Sequence, residues 1–260
     1  GGDPILDLSP PASYNPESQG ASFDFLRKLN EEHLRTHPEN GELAARIAAY
    51  QLAARMQTAA PEVTDLAGES KATHRLYGLD RADKRQAKFS RMCLLGRRLI
   101  ERGVRFVTLY CGGSTSTLNS WDGHRELAKN HRHMAPICDQ PVAALLTDLQ
   151  SRGLLDDTLV VWTTEFGRTP TSEGQSDGRD HNIAGFTIWM AGGGMRPGIS
   201  YGATDELGFK AVDRPVRIAD LHATILHSLG IDAERLTYYY NGLDRKLTGA
   251  DGGRVVREVL

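Results

Sequence analysis

The chain has 260 residues, of which 40% are hydrophobic and 25% are charged, and its formal net charge is -2. This length suits one well-filled core and is marginal for two, so we expect one large domain. A charge so near zero gives no long-range field that would gather nucleic acid or an anionic membrane. No apolar run approaches the ~20 residues that span a bilayer, so no membrane span is expected.

The amino-terminal part of the chain divides by composition. Residues 1–20 are rich in proline and glycine, which predicts an irregular arm. Residues 21–102 are predicted to be helical, because apolar side chains recur at spacings of three or four in residues 22–58 and 81–102. Gly103 is the natural end of the second of these segments.

Residues 103–260 alternate between strand and helix patterns. Strands are predicted at residues 104–110, 157–163 and 185–191, and helices at about 141–152 and 218–229. This order predicts a single α/β domain over residues 1–260, with a mainly parallel sheet covered by helices on both faces. In such folds ligands bind at the carboxyl ends of the strands, so the loops after residues 110, 163 and 191 are the expected site.

A carboxylate and an imidazole follow the first predicted strand, at Asp122 and His124. Two residues apart on a loop, both side chains can turn toward one ion, and aspartate oxygen and neutral histidine nitrogen are ordinary ligands of zinc and similar cations. The alternative is that they only shape and cap the turn.

Two further polar clusters lie on neighbouring loops. Glu165 can face a cation and Arg168 can hold a phosphate or sulfate, or the two can form an ion pair that only orders the loop. Asp180 and His181 again set a carboxylate beside an imidazole, just ahead of the third predicted strand. The shared location of the three clusters favours one polar site over three separate structural roles.

The remaining candidates have simpler interpretations. His131, His133 and His227 are expected on helices in structural roles, and Asp220 is expected to cap the last helix. Cys111 precedes two glycines at a predicted strand end, which leaves a thiol hydrolase as a rival hypothesis. The chain has three cysteines without a Cys-x-x-Cys spacing, so neither a disulfide framework nor a cysteine-rich zinc site is predicted.

Several strings of residues together resemble one bacterial family. They are residues 165–170 (EFGRTP), 178–182 (GRDHN), 190–194 (MAGGG), 201–205 (YGATD) and 220–226 (DLHATIL), with Trp121, Asp122 and His124, and residues 1–4 (GGDP). The chain resembles the domain-of-unknown-function family fifteen-oh-one. Members of that family are often labelled sulfatase-like and are placed in the alkaline phosphatase superfamily. The resemblance covers nearly the whole chain.

The resemblance implies a metal-dependent hydrolase of sulfate or phosphate esters that uses one or two divalent ions, zinc, calcium or similar. It carries metal ligands over to Asp122, His124, Glu165 and His181, and we count Asp180 with them. Arg168 is then the residue that stabilises charge on the transferring group. The implied substrate is a small anionic ester, and the implied fold is a mainly parallel sheet between helices that lacks its amino-terminal strands.

Two departures weaken the implied activity. Superfamily phosphatases commonly have a histidine where this chain has Phe166, which cannot bind metal. Family members are also longer, and the segment that precedes Gly1 is expected to supply the first strand, an early aspartate and the nucleophile. The chain therefore resembles the carboxyl-terminal part of a longer parent protein. The family resemblance implies that this parent is exported. The alternative function is a non-catalytic binding or structural domain that retains the fold.

Overall fold

The computed structural model describes residues 15–112 and 120–260, apart from the side chains of residues 16 and 55–61. The chain divides into two compact units, residues 1–70 and residues 71–260. The single α/β domain over the whole chain stays a prediction. Within the described residues, no helix combines the length and the apolar character that crossing a membrane requires.

From residue 15 onward, where its description begins, the first unit contains two helices, α1 (Pro16–Thr36) and α2 (Gly41–Thr64). The side chain of Asn15 accepts a hydrogen bond from the Ser18 amide at 2.7 Å and caps α1. An asparagine cap followed by proline favours a helix start, so residues 16–20 are helical where the composition predicted an irregular arm. Residues 1–14, which include the glycine, aspartate and proline of the family resemblance, lie outside the described residues.

In its described residues, 71–112 and 120–260, the second unit contains four further α-helices. They are α3 (Lys71–Tyr77), α4 (Lys84–Glu101), α5 (Leu127–Ser151) and α6 (Ile218–Ser228). The glycines at 103 and 153 adopt positive φ just after α4 and α5, as expected at helix ends. Helix α5 begins well before the predicted residue 141 and continues through Pro136 and Pro141. Burial of Met134 and Ile137 stabilises this early part of the helix against the lost backbone bonds.

The strands are short. They are β1 (Val160–Trp162), β2 (Gly167–Ser172), β3 (Arg179–Asn182), β4 (Trp189–Ala191), β5 (Ala203–Thr204), β6 (Ala211–Asp213), β7 (Thr237–Tyr240) and β8 (Leu243–Lys246). In the described residues β1 pairs with β4, β2 with β3, β5 with β6 and β7 with β8, and all four pairs are antiparallel. A 3-10 helix, Arg257–Val259, follows them.

This arrangement is a mixed α/β fold and corrects the expectation of a mainly parallel sheet within the described residues. The connection between β1 and β4 contains the β2–β3 hairpin and no helix, so the chain can return antiparallel beside β1. Residues 104–110 are not assigned as a strand. The side chains of Val107 and Leu109 lie near Gly96 of α4, so one face of residues 104–110 packs against that helix.

The carboxyl-terminal segment is fixed to α6 by polar contacts. The Asp220 carboxylate accepts the Arg217 amide at 2.9 Å, which confirms its predicted role at the start of the helix. The same carboxylate accepts the Arg254 amide at 2.8 Å, and the Thr224 hydroxyl accepts the Val256 amide at 3.0 Å. These bonds bring the last residues of the chain onto the helix that the sequence predicted at residues 218–229.

Candidate metal centre

Backbone contacts join the loop that carries Asp122 and His124 to the β2–β3 hairpin. The Arg179 amide donates to the Gly123 carbonyl at 3.0 Å, and the Ser176 hydroxyl donates to the His124 carbonyl at 2.7 Å. Gly178 is buried at this contact, and a Cβ atom there would overlap the His124 carbonyl group. Glycine at this position therefore allows the two backbones to approach as closely as the site requires.

Three potential ligand atoms form a small triangle at this junction. Nε2 of His124 lies 2.9 Å from Oδ1 of Asp122 and 3.1 Å from Nε2 of His181, and the His181 and Asp122 atoms are 3.2 Å apart. Ligand bonds of ~2.0 to 2.1 Å separate neighbouring ligand atoms by roughly 3.0 Å around an octahedral ion and roughly 3.4 Å around a tetrahedral one. The three side chains could hold one ion between them.

The other nitrogen of the His124 ring contacts a carboxylate. Nδ1 lies 2.6 Å from Oε2 of Glu173, which is the first residue after β2. An ionised carboxylate only accepts hydrogen bonds, so Nδ1 carries the proton in this contact. Nε2 is then the nitrogen that is available to a metal ion, and it is the atom that faces Asp122 and His181.

A second group of potential ligands overlaps the first. His124, Glu173 and Asp180 also bring one ligand atom each within 4.8 Å of one another. A neutral imidazole has one lone pair in its ring plane, so His124 supplies one ligand atom at a time. The two groups are therefore alternative positions for a single ion.

Arg168 forms one edge of the site. It is the cross-strand neighbour of His181 in the β2–β3 pair, and its guanidinium lies 2.7 Å from Oδ1 of Asp122. Arg168 is the main reason why the pKa of Asp122 is lowered, with a smaller contribution from His181. Asp122 is therefore ionised at neutral pH, which is the state that binds a cation.

Phe166 lies against the same imidazole. Its ring centroid is 4.2 Å from that of His181, and the Arg168 guanidinium lies 5.9 Å from the Phe166 ring centroid. The phenyl ring supports the His181 ring from one side. It offers no ligand atom, as expected from the sequence.

The structure brings together most of the candidates that the sequence identified. Asp122, His124 and His181 share one group, and Asp180 belongs to the overlapping one. Glu165 is exposed and belongs to neither group, so its role as a ligand stays a prediction.

Glu173 was missed by the sequence analysis. It lies in a polar turn, and no strand pairing between β2 and β3 was predicted that would have turned it back toward His124. The glycines at 174 and 178 could have indicated a turn in this segment.

The cysteine of the rival hypothesis lies in a different environment. The Cys138 thiol is the main reason why the pKa of Cys111 is lowered; burial raises it, and the Trp121 side chain lowers it further. Both cysteines are free and partly exposed. Residues 113–119, which include the second glycine after Cys111 and the hydroxyls of Ser114 and Thr115, lie outside the described residues.

These features define a mixed α/β protein with a group of histidine and carboxylate side chains that could hold a metal ion. A family model described as "Protein of unknown function (DUF1501)" matches residues 1–260, and the chain belongs to that family. No curated protein matches the chain, and no solved structure matches it.

Proposed function

We propose that this chain carries a divalent metal centre held by Asp122, His124 and His181, and that the centre serves the hydrolysis of phosphate or sulfate esters. The main support is the triangle of ligand atoms, whose sides of 2.9 to 3.2 Å match the spacing expected around one ion. The resemblance of residues 165–170 and 178–182 to sulfatase-like members of the alkaline phosphatase superfamily supports the choice of reaction.

The donor set suits a borderline cation such as zinc. Two imidazole nitrogens and one carboxylate oxygen leave at least one coordination position for water or substrate. A bound divalent ion would polarise the ester oxygen and lower the pKa of a bound nucleophile. The ligand side chains of Asp122, His124 and His181 are between 31% and 55% exposed, so an ester in solution can reach them.

Arg168 is the residue that we assign to the substrate anion. Its side chain is 22% exposed and already lies against Asp122, so it is held at the edge of the ligand triangle. A guanidinium can donate two parallel hydrogen bonds to a phosphate or sulfate group, and it keeps its charge at any working pH. Arg168 can thereby offset the charge that develops on the transferring group.

We further propose that the attacking hydroxyl lies in the part of the parent protein that precedes Gly1, as the family resemblance implies. Chain 1–260 should then bind metal but hydrolyse aryl phosphates and aryl sulfates negligibly. Turnover by this chain that depends on metal would instead direct attention to Ser114, Thr115 or Cys111. Replacing each of the three by alanine would identify the local nucleophile.

Metal binding is tested first, on chain 1–260. We expect the chain, after dialysis against zinc, to retain one ion by elemental analysis, and His124→Gln to retain none. The matched control is His227→Gln, because His227 is an exposed histidine on α6 and belongs to neither ligand group. Equal metal content in the wild type and His124→Gln would reject this centre. The same measurement with calcium, magnesium and manganese establishes which ion is preferred.

Hydrolysis is tested on the longer parent protein with aryl phosphate and aryl sulfate. We expect turnover that a chelator removes and that zinc restores, and we expect Arg168→Ala to reduce kcat by about 100-fold or more. Turnover that a chelator leaves unchanged would contradict the proposal.

One observation favours a second function, a metal-binding domain without catalysis. Phe166 occupies the position of a superfamily histidine, and its ring packs on His181 at a centroid distance of 4.2 Å. A second ion would then lack a ligand, and superfamily chemistry that needs two ions would be lost. Metal retention together with an inactive parent protein on every ester would support this alternative.

A further inference from the structure

We infer that Glu173 is a positioning residue, which fixes the ring orientation and the protonated nitrogen of His124 so that Nε2 faces the ion. This inference rests on the proposed metal centre at Asp122, His124 and His181. It assigns a role to a residue that the sequence did not single out. It also selects between the two overlapping ligand groups, because Glu173 would be a direct ligand in the second group and a hydrogen-bond acceptor in the first.

The backbone around Glu173 is fixed before its side chain reaches His124. Its amide donates to the Gly178 carbonyl at 3.3 Å, and its carbonyl accepts the Ser176 amide at 2.9 Å. The Ser176 hydroxyl in turn donates to the His124 carbonyl at 2.7 Å. The turn therefore holds both the carboxylate and the backbone of the histidine that the carboxylate contacts.

The contact itself defines which ring nitrogen is protonated. Oε2 of Glu173 lies 2.6 Å from Nδ1 of His124, a short distance that is typical of a charge-assisted hydrogen bond. A carboxylate without a proton cannot donate, so the hydrogen belongs to Nδ1. A histidine that binds metal usually donates its other ring N–H to such a partner, which holds the ring in place.

The opposite edge of the ring faces the other ligands. Nε2 of His124 lies 2.9 Å from Oδ1 of Asp122 and 3.1 Å from Nε2 of His181. If the ion instead lay between Glu173 and Nδ1 of His124, the three ligand atoms that lie close together on the Nε2 side would not bind it. The geometry therefore favours Glu173 as the residue that orients His124, with the ion on the Nε2 side.

The zinc affinity of variants of chain 1–260 tests the role of Glu173. It is measured by competition with a chromophoric chelator. We expect Glu173→Ala to weaken zinc binding by about 10- to 100-fold, the usual loss when such a hydrogen-bond partner is removed. Glu173→Gln should recover most of this loss, because an amide oxygen still accepts the Nδ1 hydrogen. The matched control is Asp177→Asn in the same turn, which contacts the Glu126 amide and should leave the affinity unchanged.

Nitrogen-detected NMR of the His124 ring supplies a readout that does not depend on the ion. In metal-free wild type, at a pH where the ring is neutral, the hydrogen should be on Nδ1. In Glu173→Ala it should shift toward Nε2, the form that free histidine prefers. A purely structural role in the turn would alter the melting temperature and leave this pattern unchanged in Glu173→Ala, whereas under the positioning role only Glu173→Gln should keep the hydrogen on Nδ1.

The outcomes separate this inference from the proposed function. If wild type binds no zinc, the metal centre fails, and the NMR pattern alone decides the role of Glu173. If wild type binds zinc and Glu173→Ala binds it equally well, the inference is wrong. If Glu173→Ala and Glu173→Gln both lose binding as fully as His124→Ala, Glu173 is a ligand, and the ion lies in the second group.

Discussion

Two aspartate–arginine pairs in residues 71–260 have similar distances and different surroundings. Asp148 and Arg97 lie 3.0 Å apart between α5 and α4, with side chains that are 7% and 2% exposed. Asp122 and Arg168 lie 2.7 Å apart at the candidate metal centre, with side chains that are 55% and 22% exposed. These two pairs of the same residue types therefore differ in burial: one lies in the core and the other lies where solvent can enter.

The partners of the two carboxylates explain the difference. Oδ2 of Asp148 accepts the Tyr77 hydroxyl and Nε of Arg97, both at 3.0 Å, and Oδ1 accepts Nε of Arg152 at 2.7 Å. Burial raises the pKa of Tyr77, and the charge of Asp148 raises it further, so the hydroxyl remains a donor. This carboxylate has protein partners for both oxygens, and it joins α3, α4 and α5.

The Asp122 carboxylate has a different set of neighbours. Its Oδ1 meets two imidazoles as well as Arg168, and the side chain remains more than half exposed. An exposed carboxylate beside two histidines can exchange a partner with solution, whereas a buried one cannot without unfolding. We therefore assign stability to the Asp148 pair and ligand binding to the Asp122 pair.

The largest expected effect on the free energy of unfolding comes from substituting Asp148. Asp148→Ala removes the carboxylate that faces the buried Arg97 guanidinium, and removing one partner of a buried pair costs about 3 to 5 kcal/mol. Urea denaturation at neutral pH measures the change, and zinc affinity of the folded variant should remain that of the wild type. A loss below about 1 kcal/mol would show that this pair is no more important than one at the surface.

The second effect concerns His181, which lies beside the Asp122–Arg168 pair at the candidate metal centre, and it depends on metal. Binding only to the folded state adds about 2.7 kcal/mol when the ion is at a hundredfold excess over its Kd. Zinc should therefore raise the free energy of unfolding of the wild type and leave that of His181→Gln unchanged. His222→Gln is the control, because His222 is exposed on α6 and belongs to neither ligand group. Equal zinc stabilisation of His181→Gln and the wild type would exclude His181 as a ligand.

The pH dependence of stability at a third carboxylate, Asp220, tests whether a buried carboxylate stabilises the fold in its ionised form. Burial raises its pKa, but Arg217 and the Arg254 amide lower it by more, so the pKa is below its ordinary value. The fold therefore favours the ionised form. The resulting stability is present above the unfolded pKa of about 3.9 and is lost as the pH falls through the folded pKa.

Asp220→Asn should lose about 2 kcal/mol at neutral pH, because it weakens hydrogen bonds to a charged acceptor. The difference in unfolding free energy between wild type and variant should shrink as the pH is lowered below about 4. Denaturation at a series of pH values measures this difference. A difference that stays constant down to pH 2 would mean that Asp220 is not stabilised as a carboxylate.

The ends of α4 and α5 could be predicted from the sequence because their signals are local, whereas α5 begins before the predicted residue 141, with Met134 and Ile137 buried in its early part. The glycines at 103 and 153 indicate the ends of α4 and α5, and the apolar spacing of residues 81–102 indicates α4. Strand pairing could not be predicted, because it depends on which distant segment supplies the ladder. Residues 104–110 have strand-forming side chains, yet Val107 and Leu109 lie near α4 and no ladder is assigned there.

The candidate site could be predicted where its residue types alone indicate metal binding. Asp122, His124 and His181 were identified because carboxylate and imidazole recur beside one another. Glu173 was not, since an isolated glutamate in a polar turn looks like any solvated residue until the hairpin turns it toward His124. The sequence indicated the candidate ligands Asp122, His124 and His181, but the contact between Glu173 and His124 depends on tertiary structure.

The smallest expected effect is the one that most directly tests the comparison. Asp122→Asn removes the charge of an exposed pair, and such pairs contribute about 0.2 to 1 kcal/mol that salt reduces. The free energy of unfolding without metal should therefore change by less than about 1 kcal/mol, and by less still at high salt. Because the same substitution replaces a charged ligand oxygen by a neutral amide, zinc stabilisation should be largely lost. A large loss of stability without metal would place Asp122 with Asp148 as a structural residue, and the functional assignment of the exposed pair would then be wrong.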